Sequence, residues 1–342
     1  MGERGKTRVL FHRRFLTATA GINGGNLKLK DCFDHVAHSE KYQAEVYFSP
    51  DSIWSEHAGN HWLELRKKGL KQWKIQAGDI LFFAGGDWRV LTNAEKLNPP
   101  VPVINITHPR HTRPEDPRNN FLKFPAIRIA KSETGAKILE EYGVNGPIVV
   151  IPDAIDLGLL PELPEEKDID ILVIGRKEPD LAKRVYRKLK WQNRFRKKKL
   201  NIAIQLPPPL PTRLDFLNLL SRAKIAVCIP LQEDRGFEGF YLPALEAMAL
   251  ETLVVCPHAV GNVDHCIDGY NCIVPAFTER GLLKGVRKMM NLSSEEKANL
   301  IQNGLLTADK HQIEKERAAI LQLLDRAYDL WTKSELFDKT IE

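Results

Sequence analysis

The stretch that decides the fold is EDRGFEGFYLPALEAMALETLVV, residues 233–255. It follows an apolar run, residues 225–229, that is typical of a buried parallel strand. Pro243 stands where a helix begins, because the missing N–H of proline costs nothing at the first helical position. A strand, a loop with glycines and a helix N-terminus present free N–H groups and positive dipole to an anion. The stretch therefore predicts an anion site at the carboxyl end of a parallel strand.

Two glutamates flank this predicted site, Glu238 in the loop and Glu246 one turn into the helix. A carboxylate accepts hydrogen bonds from both hydroxyls of a vicinal diol, so it suits ribose and other sugars. Taken singly, each glutamate is more simply a solvated surface acid. Beside a helix N-terminus, the pair indicates a ligand with both phosphate and hydroxyl groups.

Short apolar runs alternate with amphipathic helical patterns along the whole chain, which is typical of parallel strands covered by helices on both faces. The sequence therefore predicts an α/β fold with two doubly wound, Rossmann-like domains. The predicted strands are 8–11, 44–48, 80–83, 103–106, 127–130, 148–151, 169–174, 200–204, 225–229, 253–256 and 272–274, and predicted helices include 27–36, 134–142, 214–222 and 279–290.

A length of 342 residues fits two domains. The segment 157–168 is rich in proline and acidic residues, so it is predicted to link an N-terminal domain (1–156) to a C-terminal domain (169–310). The tail, 311–342, is predicted to form one long helix over 311–331 that crosses back onto the N-terminal domain.

The net charge of +6 and the pI near 8.9 fit a phosphorylated substrate or an anionic membrane surface. This excess is smaller than that of a dedicated nucleic-acid-binding protein, so nucleic acid is not expected as a partner. No apolar run reaches 18 residues, and the N-terminus lacks the apolar core of a signal peptide, so we expect the chain in the cytoplasm. The five cysteines form no CxxC pair, which disfavours a zinc site or a disulfide framework.

The densest charge run is KRVYRKLKWQNRFRKKK, residues 183–199, which includes Tyr186, Trp191 and Phe195. It is either the solvated face of a helix or a patch for an anionic membrane or polyanionic acceptor. Peripheral contact with the inner membrane face is therefore one expectation.

The stretch EGFYLPALEAM resembles the E-x7-E signature of the retaining glycosyltransferases of family 4. AVGNVDHCIDGYNCIVP, residues 259–275, is similar to the second loop of that family. The resemblance implies two Rossmann-like domains of GT-B type facing a cleft. It also implies a nucleotide-diphosphate sugar (NDP-sugar) donor in the C-terminal domain and a hydroxyl acceptor in the N-terminal one.

By the same resemblance, Glu246 would hold the ribose hydroxyls and Glu238 the hydroxyls of the transferred sugar. Asp264 stands where the family has a second-loop glutamate. The backbone of the intervening loop would face the donor at Gly239, Phe240 and Tyr241.

Arg176 closes a predicted strand in IDILVIGRK, where a guanidinium suits bidentate binding of a diphosphate. The family has a phosphate-binding lysine five residues later, but this sequence has Leu181. Lys177 and Lys183 are the candidate substitutes.

In the N-terminal domain, GINGG (residues 21–25) follows the first predicted strand, and Gly24 and Gly25 would let the backbone approach a phosphate. The family often has a basic residue shortly afterwards, here Lys28. His108, at the end of VPVINITHP, is similar to the strand-end histidine of the family in the acceptor cleft.

No metal is expected, because the single Asp-x-Asp pattern, Asp168–Asp170, begins a strand on the far side of the sheet from Arg176. Apart from the NDP-sugar donor, no cofactor is implied. These observations favour a metal-independent, retaining hexosyltransferase or related enzyme of cell-surface polysaccharide or glycolipid synthesis.

Two alternatives stay open. One is a nucleotide-sugar-binding protein of the same fold with impaired catalysis, because Tyr241 replaces a family glycine and the lysine is absent. The other is a nicotinamide-dependent enzyme, although no GxGxxG follows a strand. The sugar, the base (uracil or guanine), the acceptor and the oligomeric state are left open.

Overall fold

The computed structural model describes residues 5–17, 21, 24–57, 59–233 and 236–337. Two compact units divide the chain: unit 1 combines Met1–Pro152 with Glu316–Glu342, and unit 2 is Asp153–Lys315. The predicted linker, 157–168, differs from this division because it lies within unit 2. Leu160 packs against the core of that unit, and Lys167 donates to the carbonyl of Leu250 at 2.7 Å.

Unit 1 is built on a six-stranded parallel sheet in the order β2-β1-β3-β4-β5-β6. Its central strands carry apolar side chains on both faces, because helices cover the sheet from both sides. The strands are β1 Thr7–Arg13, β2 Tyr42–Phe48, β3 Ile80–Ala84, β4 Val103–Ile106, β5 Ile127–Ala130 and β6 Ile148–Val150; the helices are α1 Gly24–Ala37, α2 Asn93–Leu97 and α3 Glu133–Tyr142.

Unit 2 is built on a four-stranded parallel sheet in the order β10-β9-β7-β8. The strands are β7 Ile169–Ile174, β8 Ile202–Gln205, β9 Ala223–Cys228 and β10 Leu253–Val255; the helices are α4 Pro179–Asn193, α5 Arg213–Ser221, α6 Leu242–Ala249, α7 Glu279–Asn291 and α8 Ser294–Lys310. The strand predicted at 272–274 is wrong. Residues 267–272 form a turn, so Cys272 and Ile273 make only isolated bridges, to Asp268 and Val255.

The C-terminal segment contains two helices, α9 Ile313–Asp325 and α10 Ala327–Trp331. The prediction of one helix over 311–331 is therefore wrong, because the helical hydrogen bonding is interrupted at Arg326 (φ −101°, ψ −1°), whose N–H donates to the carbonyl of Leu323 three residues back. Ile320, Leu323 and Leu324 of α9 are buried in the same core as Phe11 of β1. This packing is what attaches the tail to unit 1.

Side-chain capping fixes where several helices begin. The capping boxes predicted at Thr212 and Ser293 are both formed, with Asp215 and Glu296 as their partners. Among the described helices, none is long and apolar enough to cross a membrane.

Candidate functional site

The carboxyl ends of the four strands of unit 2 lie along one edge of the sheet, since all the pairings are parallel. In open α/β sheets, ligands bind at this edge. Four segments follow the strands there: 175–178 after β7, 206–212 after β8, 229–241 after β9 and 256–272 after β10. Most of the predicted site residues lie in or next to them.

Glu238 lies in the segment after β9, and only 3% of it is exposed. Its Oε1 accepts from Lys177 Nζ at 2.5 Å, and its Oε2 accepts from the N–H of Leu231 at 3.3 Å. Glu178, which was not predicted, is also buried and accepts from the N–H of Gln232 at 3.2 Å. Two carboxylates therefore connect the segments after β7 and β9.

Glu246 lies within α6 and is 1% exposed. The guanidinium of Arg213, the first residue of α5, forms an ion pair with its Oε1. The two groups are close but not aligned, so this oxygen has no hydrogen bond from any described residue. A buried carboxylate with an unfilled acceptor position is ready to accept a ligand hydroxyl.

Arg176 follows β7 at the same edge, and much of its side chain is exposed. Partial burial of the guanidinium lowers the pKa of Arg176, although Tyr241 and Glu246 act in the opposite direction. The edge therefore carries two arginines, Arg176 after β7 and Arg213 at the start of α5, and Arg213 pairs with Glu246.

The structure explains why a lysine is missing at position 181. Leu181 is buried in a core cluster with Val173 and Val185, so this position points away from solvent. Of the two candidate substitutes, Lys177 contacts Glu238, whereas Lys183 is exposed on α4. Lys177 is therefore the lysine that the structure brings to the site.

The expectation that the amide of Tyr241 faces a donor needs correction. Its N–H donates to the carbonyl of Gly261 at 3.1 Å, so it is used inside the protein. A Cβ on Gly261 would lie 2.6 Å from both the amide nitrogen of Phe240 and the carbonyl oxygen of Glu238. Only glycine fits there, because the segment after β10 packs directly on the buried backbone around Gly239.

The side chain of Tyr241 occupies the core rather than the site. It packs in one cluster with four cysteines, and burial raises the pKa of Tyr241 well above its ordinary value of 10. The small thiols leave room for a ring at the position where the family has glycine. All five cysteines are buried and free; those around Tyr241 are Cys228, Cys256, Cys266 and Cys272.

Phe240, in the segment after β9, belongs to a cluster of aromatic rings with two histidines. The rings of Phe240 and His265 are 4.6 Å apart, and His311 is 5.5 Å from Phe240. Burial, together with the charge of His311, lowers the pKa of His265 to about 3, so this ring is neutral. Asp264, the neighbour of His265, is exposed.

Sequence reasoning missed Asn271, which anchors the segment after β10. Its amide donates to the carbonyl of His265 and to Thr307 Oγ1, both at 2.9 Å. Asn271 Oδ1 accepts from the N–H of Ile267 at 2.9 Å. The Asp-Gly-x-Asn pattern was the signal that could have identified it, since an asparagine after glycine is a typical turn anchor.

Three predicted residues lie in unit 1. His108 follows β4, is half-buried, and its Nδ1 accepts from the N–H of Arg110 at 3.1 Å. Gly24 and Gly25 are exposed and begin α1. Of the glycine-rich loop before them, Ile22 and Asn23 lie outside the described residues.

Asp168 and Asp170 lie at the amino end of β7, away from the site, and both are paired with cations. Asp168 contacts Arg222 at 2.6 Å and Asp170 contacts Lys224 at 3.0 Å. Within the described ranges, no group of three or more His, Cys, Asp or Glu side chains could hold a metal ion.

Residues 157–306, which contain this whole edge, match the protein-family model described as Glycosyl transferases group 1. The chain carries a group 1 glycosyltransferase domain on a GT-B fold. A comparison with curated protein sequences finds no significant match.

Several solved structures share the fold over nearly the whole chain. Sucrose-phosphate synthase from Thermosynechococcus elongatus is 13% identical with a TM-score of 0.66, over 95% of this chain and 100% of that one. HepE from Anabaena, in complex with UDP and glucose, is 13% identical with a TM-score of 0.68, over 93% and 99%. A glycosyltransferase from Rickettsia africae is 12% identical with a TM-score of 0.65, over 96% and 100%. At these identities the likeness concerns the fold alone.

Proposed function

We propose that this chain is a retaining, metal-independent hexosyltransferase or related enzyme that moves a sugar from an NDP-sugar to a hydroxyl acceptor. One observation carries the proposal: buried Glu246 pairs with Arg213 at the ligand-binding edge of a group 1 glycosyltransferase domain, and Arg176 follows β7 at the same edge. The unfilled acceptor position on Glu246 Oε1 suits a ribose hydroxyl, and the arginines suit a diphosphate.

The charges at the edge favour departure of a diphosphate. Arg176, Lys177 and Arg213 supply three positive charges, and Glu178, Glu238 and Glu246 supply three negative ones. The guanidinium groups of Arg176 and Arg213 would stabilise the charge that develops on the leaving group, and such electrostatic stabilisation usually contributes most to catalysis. Glu238 would orient the sugar, and the leaving phosphate would take the proton of the acceptor.

UDP-glucose is the first donor to test, since HepE is similar in fold and its structures contain UDP or UDP-glucose. Turnover of labelled UDP-glucose in the presence of EDTA tests transfer and metal independence together. Loss of turnover on chelation, restored by manganese, would contradict a metal-free mechanism. Binding of UDP-glucose with no turnover would favour an impaired binding protein. That alternative has lost support, because Tyr241 has a core position of its own and Lys177 supplies a positive charge.

In unit 1, we propose that His108 contacts a hydroxyl acceptor and that Gly24 and Gly25 bind phosphate. The proposed role is synthesis of cell-surface polysaccharide or glycolipid in the cytoplasm, at the inner face of the membrane.

The basic run 183–199 supports peripheral membrane contact. It holds ten basic and no acidic residues, so it supplies more positive charge than the net +6 of the whole chain. Trp191 and Phe195 are 50% and 73% exposed, with ring centroids 5.1 Å apart, and Lys188 Nζ lies 4.6 Å from the ring of Trp191. Exposed aromatic rings among cations are typical of surfaces that contact anionic lipid.

This contact can be tested by co-sedimentation with liposomes of phosphatidylglycerol and phosphatidylcholine. Each basic residue near an anionic surface contributes about 1 kcal/mol, so neutralising Arg196, Lys197 and Lys198 together should weaken binding by about two orders of magnitude. UDP binding should be unchanged, because these residues lie beyond the far end of α4 from Lys177. Equal liposome binding by wild type and variant would make the run a solvated helix face.

The central test separates the two glutamates by calorimetry with UDP and UDP-glucose. Glu246→Ala should weaken both ligands by about 1.5–3 kcal/mol, or about ten- to a hundredfold, because a charge-assisted hydrogen bond to ribose is lost. Glu238→Ala should leave UDP affinity nearly unchanged while sugar transfer falls sharply. If both variants bind UDP and transfer sugar like wild type, the pair is not part of a donor site.

A further inference from the structure

Arg213 belongs to none of the motifs in the sequence, yet it is the residue that contacts Glu246. We propose that Arg213 is a positioning residue for a nucleoside diphosphate and gives the site its preference for ribose over deoxyribose. The inference rests on the proposed function and adds a residue that makes Glu246 selective.

The local structure places Arg213 firmly at this edge. It is the first residue of α5, whose start is fixed by the capping box between Thr212 and Asp215. The segment before it, LPPPLPT (206–212), has four prolines, which restrict the backbone between β8 and the helix. The backbone that carries the guanidinium is therefore held before any ligand arrives.

The side chain of Arg213 is partly exposed to solvent, and its guanidinium contacts the buried carboxylate of Glu246. It is 31% exposed, whereas the carboxylate it contacts is 2% exposed. A carboxylate this deeply buried is costly without a cation, and Arg213 supplies that cation. A guanidinium has five N–H donors in a planar fork, so Arg213 can contact Glu246 and the oxygens of a ligand together.

Arg213 also supplies a positive charge that position 181 cannot. The position where the resemblance implies a basic residue lies in the core, yet the edge still carries two guanidinium groups, Arg176 after β7 and Arg213 beside Glu246. A planar guanidinium matches phosphate oxygens in a bidentate way, which an ammonium cannot do. The ligand class that fits two arginines and one carboxylate is a nucleoside diphosphate with an intact ribose.

The test is calorimetry with UDP and 2′-deoxy-UDP on wild type, Arg213→Ala, Arg213→Lys and Glu246→Ala. Wild type should prefer UDP by about tenfold or more, the size expected for one lost charge-assisted hydrogen bond. Arg213→Ala should weaken UDP by at least that factor and should bind the two ligands nearly equally. Arg213→Lys keeps the positive charge and therefore the fold, and should regain only part of the preference.

The matched control is Arg222→Ala, which removes an arginine at the other end of α5 that pairs with exposed Asp168. It should leave both affinities unchanged. A merely structural Arg213 would lower the unfolding temperature of its variants and leave the UDP to 2′-deoxy-UDP ratio as in wild type, which overturns the inference. If Glu246→Ala keeps the wild-type ratio as well, the proposed function fails rather than the role of Arg213 alone.

Discussion

Two buried glutamates, one in each unit, have different surroundings. Glu316 of α9 has no exposed side-chain surface, and its carboxylate is met by Lys28 Nζ at 2.6 Å, Lys131 Nζ at 3.5 Å and His35 Nε2 at 3.5 Å. Glu246 of α6 is equally buried, yet its Oε1 receives no aligned hydrogen bond from a described residue. The partners of Glu316 come from α1 and from the residue after β5, and none of the three is exposed.

The difference separates a charge that stabilises the fold from one that, in the proposed function, binds the donor. Around Glu316 the partners are buried and converge on the carboxylate, so the cluster ties α9 to α1. Beside Glu246, Arg213 remains partly accessible, and Arg176 at the same edge is exposed. Removing Glu316 should therefore affect stability, whereas the residues around Glu246 should affect binding and catalysis.

The largest effect is expected for Glu316→Ala. Removing one partner of a buried ion pair leaves the others uncompensated, which costs about 3–5 kcal/mol of unfolding free energy. Urea unfolding, followed by circular dichroism with the transition of unit 1 analysed separately, measures this loss. Asp309→Ala is the control, because the pair between Asp309 and Lys315 is exposed and its loss should not move the transition. An equal midpoint for Glu316→Ala and wild type would contradict a structural role for the cluster.

The same cluster should make stability depend on pH. Burial alone would raise the pKa of Glu316, but Lys28 and Lys131 overcome it and hold this pKa at about 2, against an ordinary 4.5. Because the folded-state pKa is the lower one, the stabilisation is present above pH 4.5 and is lost as the pH falls towards 2. The difference between the two pKa values corresponds to about 3 kcal/mol of unfolding free energy. Glu316→Gln should lack this part of the acid dependence in unfolding measured between pH 5 and pH 2.5.

Arg176→Ala should lower kcat/KM by about thirty- to a thousandfold, since one preorganised donor contributes about 2–4 kcal/mol to the transition state. Arg176→Lys should regain little, because a point charge cannot make a bidentate contact. Steady-state kinetics with UDP-glucose measures both, and unfolding should be nearly unchanged because Arg176 is exposed. A wild-type rate in Arg176→Ala would remove this residue from the site.

The smallest effects are expected for substitution of the two candidate lysines, Lys177 and Lys183. Lys177→Ala leaves buried Glu238 without its cation and should cost about 1.5–3 kcal/mol in transition-state stabilisation. Lys183→Ala should have no effect on turnover, because Lys183 is exposed on α4 and forms no ion pair with a described residue. If Lys183→Ala were the more damaging change, Lys183 rather than Lys177 would be the basic residue of the site.

Much of the fold could be predicted, because strands and helices have local signals. The bounds of β4, β5 and β7 are those of the apolar runs that predicted them. The capping boxes at Thr212 and Ser293 begin their helices as predicted. The strand at 272–274 could not be excluded, since an apolar run carries no information on whether a neighbouring strand is free to pair. The interruption of the C-terminal helix at Arg326 could not be predicted either, because no glycine or proline lies near it.

The sequence by itself determined the alternation of strands and helices, and the loop and helix that hold Glu238 and Glu246. Only the tertiary structure decided which charges meet. Arg213 and Glu246 lie on different helices, and Lys28 and Glu316 are 288 residues apart in the chain. Periodicity reports the environment of one segment, whereas an ion pair depends on two segments that the fold brings together. For that reason Glu238 and Glu246 could be singled out from the sequence, whereas the ion pairs that they form could not.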